Sequence, residues 1–205
     1  MATSPSVRSK APARGFTLIE IVVAIAILAV GLVAMGSLVA RMMAGTGRAR
    51  YMSLVAELTS EKLEDLNRWP ANDTHVAVTS GSTAGSLTSD LVQNVTVGST
   101  TDDVNYYDEI LLSSTGGSVS ETISGLDNSG KLIYTTTSHQ PDGTIVTTTS
   151  SAVTPTSAGT IAFKRRWVIE KDAPVTGVRR ITVLVLLEGQ LVAPPVSFQM
   201  SLVRP

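Results

Sequence analysis

Arg14-Gly15-Phe16-Thr17-Leu18-Ile19-Glu20 runs directly into Ile21-Val-Val-Ala-Ile-Ala-Ile-Leu-Ala-Val-Gly-Leu-Val-Ala-Met-Gly-Ser-Leu-Val-Ala40. The second stretch carries no charge, Ser37 is its only polar side chain, and eleven of its residues are Ile, Val or Leu. At about 1.5 Å per residue, roughly twenty helical residues reach across about 30 Å of hydrocarbon. Each Ile, Leu or Val favours insertion by about 0.3–0.6 kcal/mol, whereas a carboxylate at the centre of the span opposes it by about 2.5–3.5. Glu20 stands at the edge of the run, so insertion wins. The run predicts a transmembrane helix over 16–40.

Outward from that stretch, Met1 to Arg14 holds Arg8, Lys10 and Arg14 with no acidic residue, together with Pro5 and Pro12. Positive charge beside an apolar span holds that end in the cytoplasm and places the following chain outside. A cleaved secretory signal is the first rival. Its apolar region is about 7–15 residues long and ends at a small-x-small site, a pattern that this longer run does not follow.

The heptapeptide Arg14 to Glu20 resembles the processing motif of type IV prepilins and of type II secretion pseudopilins. The resemblance implies that a prepilin peptidase/methyltransferase cuts between Gly15 and Phe16 and methylates the new amine of Phe16. Residues 1–15 are then a basic leader that is removed. Glycine on the acyl side of the cut offers the least side chain and the greatest backbone freedom. Thr17 and Glu20 also match a capping box, in which both side chains satisfy backbone N–H groups at a helix start. A second role for Glu20 is a pair with the Phe16 amine of a neighbouring subunit. Burying either charge alone among apolar helices is costly, so pairing favours one axial register, and the resemblance implies the same role.

Arg41 ends the uncharged span, and no proline follows before Pro70. Residues 41–69 therefore read as an amphipathic continuation of the helix, about 75 Å in all from Thr17 to Arg68. On a 100° wheel, Leu54, Val55, Leu58, Leu66 and Trp69 gather around Tyr51, with Met52 and Leu63 alongside, and Glu57, Glu61, Glu64 and Arg68 fall opposite. Lys62 falls inside the apolar arc, where its stem can lie on a core while its amine reaches water. Gly31, Gly36, Gly45 and Gly47 can loosen the helix locally. Major pilins often carry a proline past the middle of the span, and this chain has glycines and Ser37 there.

The chain of 205 residues has a formal charge of -1 and no cysteine. Disulfides and thiolate chemistry are excluded, and no basic excess calls for a nucleic-acid partner. Residues 70–159 are rich in Thr, Ser and Gly and read as strands and loops. Lys131–Thr137 and Thr144–Thr149, joined through Pro141-Asp142-Gly143, read as a hairpin. Asp102, Asp103, Asp108 and Glu109 read as one solvated acidic loop, which matches no EF-hand pattern. Asp127 to Gly130 reads as a turn. His75 and His139 make no zinc site, no catalytic constellation is visible, and no cofactor or metal is expected.

Residues 160–205 read as an antiparallel β-meander of three strands, near Ile161–Ile169, Arg180–Leu187 and Val196–Val203. Turns fall at Pro174–Gly177 and Glu188–Gln190. The predicted fold class is α+β, a long N-terminal helix packed on a C-terminal antiparallel sheet. Lys164, Arg165 and Arg166 point to solvent or to acidic neighbours rather than to nucleic acid. Arg165-Arg166-Trp167 followed by Arg180-Ile181-Thr182-Val183 resembles the C-terminal part of PilV-type minor pilins. Together the resemblances imply a non-enzymatic minor pilin, anchored in the inner membrane with its head in the periplasm. Its partners would be the peptidase and other pilins or pseudopilins in a filament. A minor pseudopilin of type II secretion and an adhesive tip subunit, with the Thr/Ser-rich stretch as its surface, are the alternatives.

Overall fold

The computed structural model describes residues 15–127, 129–152, 160–189 and 195–205. Residues 1–14, which hold most of the expected leader, Asn128, 153–159 and 190–194, where the expected turn at Gln190 falls, lie outside them. Among the described residues there are one helix, α1 (Leu18–Arg68), and ten strands. It divides into two units, through Thr46 and from Gly47 onward.

In the first unit every described residue is exposed, including Ile21, Leu28, Val33 and Met43. α1 starts where Thr17 Oγ1 and Thr17 O both accept from the Glu20 N–H, at 3.3 and 3.1 Å. It passes Gly31 and Gly36 without interruption, and it is long and apolar enough to cross a membrane.

In the second unit α1 turns Val55, Leu58, Thr59, Leu63 and Leu66 inward. These positions recur at helical spacing, so one stripe is buried and the opposite side stays wet. Thr59 satisfies its buried hydroxyl by donating to Val55 O at 2.6 Å. The helix ends at Arg68 because Pro70 has no N–H to continue it. Trp69, read from the sequence as part of the buried arc, therefore leaves the helix; it is 37% exposed and stacks on His75 with ring centroids 4.8 Å apart.

The sheet is antiparallel throughout. Its strands are β1 (Thr83–Gly85), β4 (Tyr107–Thr115), β5 (Ser118–Leu126), β6 (Leu132–His139), β7 (Ile145–Ser150), β8 (Ile161–Lys171), β9 (Arg179–Glu188) and β10 (Ser197–Arg204). The order is β10-β9-β8-β4-β5-β6-β7, with β1 also paired to β8. A separate hairpin joins β2 (Val92–Val97) to β3 (Thr100–Asn105). The fold is α+β, and its last three strands form a meander.

One sheet thus draws strands from both sides of residue 159, since β4 pairs with β8 from Tyr107↔Arg166 to Leu112↔Ile161. The Thr/Ser-rich stretch is not an insertion on a finished head but supplies seven of its strands. The acidic residues read as one loop lie on β3 and β4, because Val104, Tyr106 and Ile110 are fully or nearly buried and pull their neighbours into strands. The Gln140–Thr144 turn closes the expected β6–β7 hairpin. Asp127 accepts from the Ser129 and Lys131 N–H groups between β5 and β6.

The core joins the helical stripe to Ile110, Phe163, Trp167, Ile169, Ile181, Val183 and Val185. Each such side chain contributes about 1.5–3 kcal/mol on burial. Gly85 has φ +85°, and a Cβ there would meet Trp167 O at 2.3 Å, so β1 approaches β8 this closely only with glycine.

Phe163 is completely buried. Phe163→Ala is expected to cost about 3–5 kcal/mol in urea unfolding of the full-length protein in detergent, followed by tryptophan fluorescence. Val203→Ala, at a half-exposed position of β10, is expected to stay within about 0.5 kcal/mol in the same measurement.

Candidate functional site

The sequence-derived site residues share the start of the chain's first unit. Gly15 and Phe16 are exposed and precede the helix, and Thr17 occupies its cap position. Phe16, Glu20, Ile21, Ala24, Ile25 and Leu28 border one shallow concavity of about 330 Å³. Glu20 is therefore a single carboxylate on an apolar face. Only the threonine half of the capping box is formed among the described residues, since the Glu20 carboxylate has no hydrogen-bond partner there.

That arrangement leaves the carboxylate chemically unspent. In water a lone exposed glutamate is unremarkable, but among packed apolar helices or lipid it demands a cation or a donor. Gly15 is exposed, and a Cβ placed on it would meet no atom within 4 Å among the described residues beyond its chain neighbours.

Residues 10–36 match the prokaryotic N-terminal methylation motif. The match supports the type IV prepilin and pseudopilin family. No curated protein and no solved structure matches the chain. Proteins that carry the prepilin motif are structural filament subunits rather than enzymes. The motif implies processing by prepilin peptidase and assembly with other pilins. Together with the long apolar helix it points to a membrane-anchored, pilin-like subunit.

The second unit holds a different ionic site that the sequence reading did not find. Asp108 on β4 accepts from Arg165 Nε at 2.6 Å and Nη2 at 2.9 Å, and both side chains are almost fully buried. Lys62 of α1 reaches Asp108 at 3.3 Å and lies 4.1 Å above the Trp167 ring. The Lys62 amine is thus drawn inward, only 15% of its side chain being exposed, where the sequence suggested that it reaches water. A buried carboxylate and an indole face together outweigh hydration of one ammonium.

The alternation of β8 sorts its basic residues onto two faces. Arg165 points inward with Phe163 and Trp167, while Lys164 and Arg166 point away and meet Asp90 at 3.1 and 2.8 Å. Lys164 also meets Glu188 at 3.2 Å. The same period-two pattern, Tyr106, Asp108, Ile110, was the available signal that Asp108 is interior. Burial alone would lower the Arg165 pKa, but the Asp108 charge and hydrogen bonds override it and hold the guanidinium above its usual range.

Glu121 on β5 is raised above the usual carboxylate range, first by burial and then by the nearby Glu61 charge. Its folded form binds a proton more readily than its unfolded form, so stability from this group falls as pH rises through the folded pKa. Among the described residues no group of three or more acidic or His side chains could hold a metal ion.

Asp108→Ala is expected to cost about 3–5 kcal/mol, because it leaves two buried cations without their carboxylate. The double change Asp108→Leu with Arg165→Met is expected to cost far less by the same denaturation assay. Glu121→Gln is expected to stabilise the protein at pH 7, with the gain shrinking as pH falls through the raised folded pKa and vanishing well below the ordinary glutamate range of about 4.3, where the wild-type carboxyl is protonated in both states.

Proposed function

We propose that the protein is a minor subunit of a type IV pilus-like filament, of the PilV type. It is made as a prepilin in the inner membrane, with the N-terminus cytoplasmic and the head periplasmic. Prepilin peptidase cuts between Gly15 and Phe16, and the Phe16 amine is methylated. The helix then leaves lipid for a filament core, where neighbouring helices cover its apolar surface.

The observation that carries this reading is one carboxylate at the first turn of a helical segment that is exposed and otherwise uncharged through Ala40, inside the matched motif. An apolar surface so extended requires lipid or protein around it. In that setting Glu20 needs a cation, and cleavage creates one at Phe16 of the next subunit. Thr17 caps the same turn, so the helix start is held while the Glu20 side chain stays available. The PilV assignment is supported by the resemblance of Arg165-Arg166-Trp167 and Arg180 to Val183.

N-terminal sequencing of the membrane-bound protein, in cells with an active prepilin peptidase, is expected to begin at Phe16; retention of Met1 would overturn the proposal. Glu20→Gln keeps an amide but removes the charge. It is expected to be processed normally yet to be lost from purified filaments, and unchanged incorporation on immunoblots would defeat the ion-pair role.

A further inference from the structure

A cleft of about 530 Å³ opens in the second unit beside the buried Asp108 network. Its lining includes Asp102, Asp103 and Asn105 of β3, together with Lys62, His75 and Trp167. Its size falls within the range of about 300–1,000 Å³ found for small-molecule sites. Two features separate it from a solvated gap between loops. Trp167 is 4% exposed, and its indole N–H has no hydrogen-bond partner among the described residues. Both polar atoms of the Asn105 carboxamide are likewise buried and unpartnered there. Buried polar groups are nearly always paired, so three such atoms on residues lining one cleft point to a ligand that meets them.

The carboxylates of the cleft keep acceptors in hand. Asp102 receives the Thr74 hydroxyl on Oδ2 at 2.7 Å, and Asp103 receives the Asn94 amide on Oδ1 at 2.9 Å. The second oxygen of each has no hydrogen-bond partner among the described residues. Gly130 leaves Asp103 Oδ2 uncovered, since a Cβ there would stand 3.1 Å from it. Lys62 adds no free cation, because Asp108 at 3.3 Å and the Trp167 ring at 4.1 Å hold its ammonium.

We propose that this cleft binds a neutral hexopyranose ring. The indole only donates, the carboxylates only accept and the carboxamide does both, so the ligand must carry donors and acceptors side by side. Sugar hydroxyls have that character, because each of them donates and accepts. An organic cation offers no acceptor to the indole N–H, and an anion is repelled by the two carboxylates. A peptide sets its donors and acceptors along a backbone, a pattern that suits the open edge of a sheet rather than three side chains around one cleft. The site belongs to the folded head and does not depend on the filament reading.

The chain has two tryptophans, which gives the cleft its own probe. Trp69→Phe keeps an aromatic ring against His75 and leaves Trp167 as the only indole. Full-length protein with this change, purified in detergent, is titrated with the methyl glycosides of glucose, galactose and mannose and with the free hexoses. A saturable change in Trp167 emission is expected with at least one of them, and saturation-transfer NMR on the unsubstituted chain is expected to report the same sugar. A response to a methyl glycoside assigns the site to the end of a glycan, and a response confined to a free hexose assigns it to the free sugar. Asn105→Leu removes the unpartnered amide without leaving a polar atom behind, and Asp103→Ala removes a carboxylate at an exposed position. Each is expected to weaken binding about five- to hundredfold. Thr148→Ala, on the exposed strand β7, is expected to leave it unchanged. The proposal is overturned if no hexose binds by either measurement, or if Asn105→Leu and Asp103→Ala bind as tightly as their parent. Tighter binding of glucosamine, glucuronate or triglycine than of every neutral hexose overturns it as well.

Discussion

A buried carboxylate sets how the helix lies on the sheet. Asp108 is gripped by Arg165 from the adjacent strand and by Lys62 from the helix above, and Lys62 in turn covers Trp167. Apolar contacts between Leu58, Leu63, Leu66 and the sheet would tolerate a range of rotations, because hydrophobic burial has no direction. The bidentate geometry does not, since each N–H must meet a particular oxygen. Burying three charges is expensive, and similar networks are often no more stable than apolar replacements. What the network contributes here is position: it holds the wet side of the helix away from the sheet, which keeps Glu57, Glu61 and Glu64 exposed.

The first unit is governed by the opposite condition. Its helix has satisfied its backbone internally but has no apolar partner among the described residues, with Ile27, Val30, Leu32 and Val33 each more than half exposed. Hydrophobic burial is worth about 25 cal/mol per Å², so a surface of this extent in water would be strongly unfavourable. Lipid removes the penalty without specifying neighbours, whereas helix packing in a filament removes it and can specify them. In the function proposed above, the chain passes from the first environment to the second.

How much of this could be read from the chain depends on whether the signal is local. The Phe16 to Ala40 stretch is legible because span length, charge placement and the glycine before Phe16 are properties of consecutive residues. The strands Ile161–Lys171 and Arg179–Glu188 are legible for a similar reason, through β-branched content and alternation. Asp108 was misread because its partners lie 46 and 57 residues away, and four acidic residues near two tyrosines look like a loop until strand alternation is imposed. Trp69 was misplaced by counting past the helix end that Pro70 enforces. The membership of β4 to β7 in the main sheet depends on the pairing of β4 with β8, roughly fifty residues apart, which no local pattern encodes.

Charge therefore acts in three settings along one chain, and the setting decides its worth. Asp108 and Arg165 are shielded from salt by burial, so their attraction persists at any ionic strength the fold survives. Glu20 lies on an exposed apolar surface, where an unpaired carboxylate becomes costly once lipid or protein covers it. Arg50, Glu57, Glu61 and Arg68 stand in water, where counter-ions screen pairs beyond about 8 Å at physiological salt and each contact is weak. The three settings need no shared mechanism, but they divide the labour sensibly. The buried network orients the helix on the sheet, the cost of the Glu20 charge depends on what covers the apolar face, and the exposed charges contribute least.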